Sequence, residues 1–336
     1  MTNLRPRVYV MPKVTVILAA YNCSHILRCA LTSLCNQTYK DFEAWVIGDC
    51  CTDDSEQIVA GFCDPRLKWT NLPERVGSQS GPNNEGLRLA RGEYIAYLGQ
   101  DDLWFPWHLQ SLVTTLEETN ADFVHAVVAL LSETRPAEGK GAPNGMRSYG
   151  SRFIPPSGFM HRRSIIESAG FWPAPGNIVE GVDAMFQRQA FLAGYRFAGT
   201  GRVSIIKFPS PFWNIYARSN DFPQQEYLTR MEQSPEDLHV SVLMQLVNSS
   251  VQRSEDLDIR LAFRTLLRAI YRRGIDLYGM DRWPVSSFLR WKHKGWRRRM
   301  AKLRGLTTLP APSILASGAS LATANPEASQ SSPVRN

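Results

Sequence analysis

Within the first hundred residues, apolar runs and amphipathic stretches alternate four times, and few folds satisfy that alternation. Residues 14–19 (Val-Thr-Val-Ile-Leu-Ala) form an apolar run of the kind expected of a strand buried on both faces. Leu27, Ala30, Leu31 and Leu34 then recur at helical spacing, with Asn22 or Ser24 placed to cap that helix. Residues 44–48 predict a second strand ending on Asp49, and Thr52, Asp53 and Asp54 a cap for a short helix through Ile58 and Val59. A third strand is predicted over 67–71, a helix over 80–91 and a fourth strand over 94–98. Strands alternating with helices in this way predict an α/β fold with a mostly parallel sheet flanked by helices.

The fourth strand runs directly into Gly99-Gln100-Asp101-Asp102. Carboxylates are costly to bury unpaired, so acids at the end of a strand line a cleft, hold a cation or cap a helix. In open α/β sheets the C-terminal strand ends are where ligands collect. A divalent ion held there against a diphosphate fits these residue types. Asp102 reads equally as a supporting partner or as the cap of the next helix.

Several segments, taken in order, closely resemble family-two glycosyltransferases of the GT-A fold. The opening strand and turn run Val14-Thr15-Val16-Ile17-Leu18-Ala19-Ala20-Tyr21-Asn22, and Asn36-Gln37-Thr38-Tyr39 leads to the second strand. Asp49-Cys50-Cys51-Thr52-Asp53 stands where the family usually has Asp-Gly-Ser-Thr-Asp. Asn84-Glu85-Gly86 and Ala90-Arg91-Gly92-Glu93-Tyr94-Ile95 match two further family runs, and Asp101 fills the last position of the Asp-x-Asp motif. Ser157-Gly158-Phe159-Met160 resembles the acceptor-side segment, and Asp183 the acid of the Glu-Asp motif. The resemblance covers roughly residues 12–220.

The resemblance implies a role for each of these residues. Backbone groups at Ala20, Tyr21 and Asn22, with the Asp49 carboxylate, would grip a nucleobase. Asp101 would bind Mg²⁺ or Mn²⁺ bridging the phosphates of a nucleoside-diphosphate sugar, most simply a UDP-sugar, with Gln100, Asn84, Ser157 and Gly158 lining the donor site. Arg88 reads either as a donor contact or as a surface residue. Asp183 would be the general base that deprotonates the acceptor hydroxyl, which implies single displacement with inversion. The acceptor would be a glycan or a lipid-linked sugar of cell-surface polysaccharide synthesis. Four departures stand out: Gly99 in place of the first metal-motif Asp, Gly48 with Cys50-Cys51, Val182 in place of Glu beside the base, and no histidine within residues 216–220. They support an alternative reading, a catalytically silent sugar-nucleotide or glycan-binding module. A nucleotidyltransferase on a related fold is a further alternative, but residues 19–24 are not the Gly-rich basic loop such enzymes carry.

Other chemistries find no support in the sequence. The chain has six cysteines, all within its first 63 residues; Cys23, Cys29 and Cys35 lack zinc-site spacing, and six thiols without a framework suggest a reducing cytosol. No Gly-x-Ser-x-Gly elbow, His-Glu-x-x-His pair or phosphate-cradling Gly-rich loop occurs. No run approaches the roughly 20 apolar residues that span a bilayer, so a cytoplasmic, soluble or peripheral protein is expected. Domains are expected at 1–11 (a frayed arm without a signal-peptide pattern), 12–225 (transferase domain), 226–304 (helical basic appendage) and 305–336 (a disordered Ala, Ser and Pro-rich tail). Amphipathic helices are expected over 238–247 and 257–271. Residues 264–304 hold 13 Lys+Arg against two acids, a local charge of +11 in a chain of +7, with Trp283, Trp291 and Trp296 interleaved. Tryptophan among cations fits an anionic membrane surface. No nucleic-acid module is recognisable.

Overall fold

A computed structural model of the chain describes residues 11–133, 135–141, 154–174, 181–209 and 222–255, together with 263, 266, 267 and 270. The elements are β1 (Val14–Ala20), α1 (Ser24–Cys35), β2 (Phe42–Gly48), α2 (Ser55–Ala60), β3 (Leu67–Asn71), α3 (Ser80–Leu89) and β4 (Tyr94–Gly99). There follow β5 (Asp102–Trp104), α4 (His108–Thr119), β6 (Phe123–Leu130), β7 (Glu138–Lys140), β8 (Phe159–Arg162) and α5 (Ile166–Ala169). The described part closes with α6 (Val182–Leu192), β9 (Phe197–Lys207), α7 (Pro223–Gln233) and α8 (Pro235–Glu255).

The expected α/β architecture is present, with every strand read from the first hundred residues in its place. The strands form one sheet in the order β3-β2-β1-β4-β8-β6-β9-β5, with β7 paired to β6. Its first four strands are parallel; β8 then pairs antiparallel with both β4 and β6, so the second half of the sheet is mixed. The reach of β8 and β9 depends on pairings distant in sequence, which apolar periodicity does not encode.

Alternation along β1 divides the core into two layers. Val14, Val16 and Leu18 face the layer of Leu27, Leu31 and Leu112, whereas Ile17 joins Ile95, Tyr97, Trp172 and Phe186 on the other side. In that second layer the Trp172 and Phe186 rings stack 4.8 Å apart with 5° between their planes. This packing anchors α6, and with it Asp183, to the sheet. The N-terminal ends of the strands are tied by Glu43, which accepts from Thr15 Oγ1 at 2.9 Å, from the Arg91 N–H at 3.0 Å and from Lys68 Nζ.

Two of the expected caps take another form. Asn22 adopts a left-handed φ of 38° and Cys23 occupies the N-cap of α1; the Ser24 N–H bonds instead to Asp53 Oδ2 at 3.0 Å. Asp53 Oδ1 also accepts from Ser55 Oγ at 2.6 Å, so one carboxylate serves both α1 and α2. Asp102 caps no helix, because α4 begins only at His108 and Asp102 lies in β5. The helix expected at 238–247 is part of the longer α8. The arm over 1–10, the end of the basic segment, the tail, most of the helix expected over 257–271 and residues 216–220 lie outside the described residues. Among the described residues no helix is long and apolar enough to cross a membrane.

Three wholly buried histidines make the fold acid-sensitive. Burial pushes His108 down to about 3, and His125 and His161 to about 4. Between roughly pH 6.5 and 4 the unfolded chain therefore binds more protons than the folded one at these sites, and stability falls as pH falls through that window. Denaturant melts at pH 7 and pH 4.5 check this. The expected result is a lower midpoint at pH 4.5 and a smaller drop for His125→Leu, whose wild-type ring nitrogens find no side-chain or backbone bond.

Candidate functional site

The parallel registers bring three strand ends level. Ala20 lies beside Gly48, and Ala19 beside Gly99, so the residues just beyond them, Tyr21, Asp49 and Gln100, line one edge of the sheet. This is the carboxyl-end crevice where α/β sheets bind ligands. Direct bonds knit the turns together: the Asp49 N–H donates to the Ala20 carbonyl at 2.8 Å and the Tyr21 N–H to Gln100 Oε1 at 2.7 Å. Asn22 accepts the Thr52 N–H at 2.8 Å, fastening the first turn to the second.

Asp49 is nearly buried, and its two oxygens accept the Val76 and Gly77 N–H groups at 2.7 Å each. It thus anchors the loop after β3 over the crevice, a role beyond the strand-end reading of its sequence position. That loop carries Arg75, whose guanidinium stacks 3.7 Å from the Tyr21 ring centroid. Arg75 was not legible in the sequence, since only the folded loop lays it on Tyr21. Cys50, where the family has glycine, sits at φ 59°, a conformation that costs a side-chain-bearing residue about 1–2 kcal/mol. The glycine instead falls at Gly48, where a Cβ would come within 2.4 Å of Asn71 Oδ1, the acceptor of the Cys51 N–H.

The turn from Gly99 to Asp102 is held from several sides. Gln224 donates to the Asp101 carbonyl at 3.1 Å. The Gly99 N–H donates to Ser157 Oγ at 2.9 Å, and Ser157 Oγ donates to Asp102 Oδ2. Asp102 is fully buried and lies opposite Lys207 in the β5–β9 ladder, with Lys207 Nζ 3.0 and 2.8 Å from its oxygens. Lys207 is the second residue sequence reasoning missed, because it lies 105 positions from its partner. Gly158 is buried in the turn entering β8. Ser157 and Gly158 therefore brace the Asp101 turn from inside.

Asp183 stands in the first turn of α6. Burial pushes its carboxyl above the ordinary carboxylate range, partly offset by the Ala184 N–H, by Lys207 and by Gln79. Lys207 lies within electrostatic reach of Asp101, Asp102 and Asp183 together, so the structure gathers these acids around one ammonium. Val182 turns into the Trp172 layer of the core. Asn84 is not brought to the crevice: it is fully buried, and its amide clasps the backbone of Trp172 at 2.8 and 3.0 Å. Arg88 pairs with Glu85 at 3.2 Å on the surface of α3.

For a divalent ion, no group of three His, Cys, Asp or Glu side chains is assembled among the described residues. Asp102 is already neutralised, leaving Asp101 as the carboxylate at the strand end. One carboxylate suits Mg²⁺ or Mn²⁺ when substrate phosphates complete the shell. The residues fit an ion that arrives with a diphosphate.

The geometry is that of a GT-A-like nucleotide-binding α/β sheet. Residues 15–167 match the family model for glycosyl transferase family 2, and that segment is a family-two glycosyltransferase domain. The chain is 31% identical over 112 residues to the Escherichia coli UDP-Glc:alpha-D-GlcNAc-diphosphoundecaprenol beta-1,3-glucosyltransferase WfgD, covering 33% of this chain and 44% of that protein. It is 32% identical over 117 residues to the Staphylococcus aureus poly(ribitol-phosphate) beta-N-acetylglucosaminyltransferase TarP, covering 34% of this chain and 36% of that one. The match thus spans less than half the length of these relatives. Among solved structures, residues 1–349 of S. aureus TarS in complex with UDP-GlcNAc superpose with a TM-score of 0.53 at 18% identity, covering 88% of this chain and 92% of that one. That likeness is one of fold.

The Asp102–Lys207 pair makes unequal demands on its members. Lys207→Met leaves a wholly buried carboxylate without its cation and is expected to cost about 3–5 kcal/mol. Asp102→Asn leaves an ammonium whose side chain is 23% exposed and can turn to water, so its cost is expected to be smaller. Urea denaturation of the two variants checks the order.

Proposed function

We propose that this chain is an inverting, metal-assisted glycosyltransferase that moves a sugar from a nucleoside-diphosphate sugar, a UDP-sugar, to a hydroxyl of a glycan or lipid-linked acceptor. The gathering of Asp101 and Asp183 around Lys207, beside the Tyr21, Asp49 and Gln100 turns, is the observation that carries this reading. The UDP-glucose and diphosphoundecaprenol in the name of the E. coli relative support the choice of donor and acceptor class.

Tyr21 with Arg75 would stack the base, and Asp49 would accept its ring N–H through lone pairs left over from the Val76 and Gly77 bonds. Asp101 and the donor's phosphates would hold Mg²⁺ or Mn²⁺, which when bound neutralises charge on the departing diphosphate. Asp183 takes the proton of the acceptor hydroxyl. The hydroxyl oxygen bonds to the anomeric carbon as the carbon–phosphate oxygen bond breaks, and that electron pair leaves with the nucleoside diphosphate. Attack from the face opposite the leaving group inverts the anomeric centre. A buried carboxylate with a raised pKa is suited to accept this proton.

Melting shifts across UDP, GDP and their sugars with Mn²⁺, paired with turnover, test the reading. UDP is expected to stabilise the chain. Asp183→Asn is expected to keep that shift and lose about 10²–10⁴-fold in turnover. Because Asp183 works ionised and burial raises its pKa, the acid limb of kcat/KM is expected above the ordinary carboxylate range. A shift without wild-type turnover identifies a sugar-nucleotide-binding module instead, and no shift with any nucleotide overturns the reading.

The partner surface proposed with this activity is an anionic membrane at the cytoplasmic face. Val240, Leu243, Met244 and Val247 are exposed along one stripe of α8, and Leu238 and Val242 are buried on the other. Phe263, Leu266, Leu267 and Ile270 are exposed where the +11 stretch begins. Apolar stripe and cations together suit an anionic bilayer, each cation near it contributing about 1 kcal/mol. Co-sedimentation with phosphatidylserine vesicles is expected for the full chain, reversed by salt and lost on deletion of 264–304. Equal binding by the deleted chain overturns it.

A further inference from the structure

The acid cluster has a resident cation. Lys207 ends β9 directly opposite Asp102, and two of its N–H directions are taken by the Asp102 oxygens at 2.8 and 3.0 Å. An ammonium carries three donors, so one more remains for a ligand. Asp102 is wholly buried while 23% of the Lys207 side chain reaches solvent, which puts the ammonium at the boundary between core and crevice. A Cβ at position 99 would come within 2.7 Å of Asp102 Oδ2 and 3.1 Å of Asp101 Oδ1. The volume a carboxylate at 99 would need is therefore filled by Asp102, which already has its own counter-ion.

We propose that Lys207 is a fixed cation of the donor site that bonds the phosphate oxygens of the nucleoside diphosphate directly, so that the donor binds without a divalent ion and the ion only adds affinity. The donor's identity here rests on the transferase reading. The charges support the assignment. Asp101, Asp102 and Asp183 with Lys207 leave a site of net −2 that already repels a diphosphate; without Lys207 it would be −3. Removing the ammonium also releases Asp102 to join Asp101 as an ion ligand. Loss of Lys207 therefore weakens metal-free binding and makes the remaining binding strongly ion-dependent.

The experiment is calorimetric titration of UDP into the full chain in EDTA and in Mn²⁺, for wild type, Lys207→Arg, Lys207→Met and the double variant Asp102→Asn/Lys207→Met. The double variant leaves no unpaired buried charge, so it keeps the test open if Lys207→Met fails to fold. Wild type is expected to bind UDP in EDTA. The two Met-bearing variants are expected to lose about 10- to 100-fold there and less in Mn²⁺, the scale of one charged hydrogen bond, with Lys207→Arg close to wild type. Wild-type binding in Mn²⁺ alone, or equal EDTA affinity for wild type and the double variant, overturns this inference and leaves the transferase reading standing. If UDP binds under neither condition, both fall.

Discussion

The level ending of β1, β2 and β4 is the constraint on which the rest depends. With Ala20 beside Gly48 and Ala19 beside Gly99, three turns leave the sheet at one height and satisfy each other's backbone groups. A slip of one residue would swap the faces of every side chain in a strand and pull Val14, Val16 and Leu18 out of their layer. The placement of Tyr21, Asp49 and Asp101 is thus enforced by core packing far from the crevice. A buried, close-packed sheet tolerates no intermediate registers, which makes it a precise support for chemistry on turns.

Around that edge, side-chain amides and carboxylates do for the loops what the ladder does for the strands. Asn84 bonds both backbone groups of Trp172, Asn71 those of Cys51, and Gln187 those of Ile154. Asp49 holds the Val76–Gly77 backbone in the same manner. Each bond satisfies a polar group that would otherwise be buried alone, a cost of about 1–3 kcal/mol. Residues that look like ligand contacts in a motif can therefore serve as clasps, and Asn84 does.

Charge is distributed by the same logic. Acids near one another raise the free energy of ionisation, and the structure answers in different ways at different positions. Asp102 is fully desolvated and paired with Lys207 and Ser157. Asp183 is desolvated and holds its proton more tightly than an exposed carboxylate. The departures at 99 and 182 fit this arrangement: Gly99 leaves space for the buried pair, and Val182 joins the apolar layer under α6.

Much of the first hundred residues was legible in the amino-acid order. Apolar periodicity marked β1 to β4 and the helices between them, because local burial and the two helical and strand periods are written locally. The Asp101-Asp102 turn and the first turn of α6 were legible for the same reason. The left-handed Cys50, the clasp at Asn84, the stacking of Arg75 on Tyr21 and the pairing of Asp102 with Lys207 were not. Each depends on groups far apart along the chain that meet only when β8, β9 and α6 pack against the sheet. Sequence determined which segments are buried and where carboxylates leave the strands; tertiary structure alone decided which of those carboxylates are neutralised, because an ion pair is set by distance in space, and no periodicity records that.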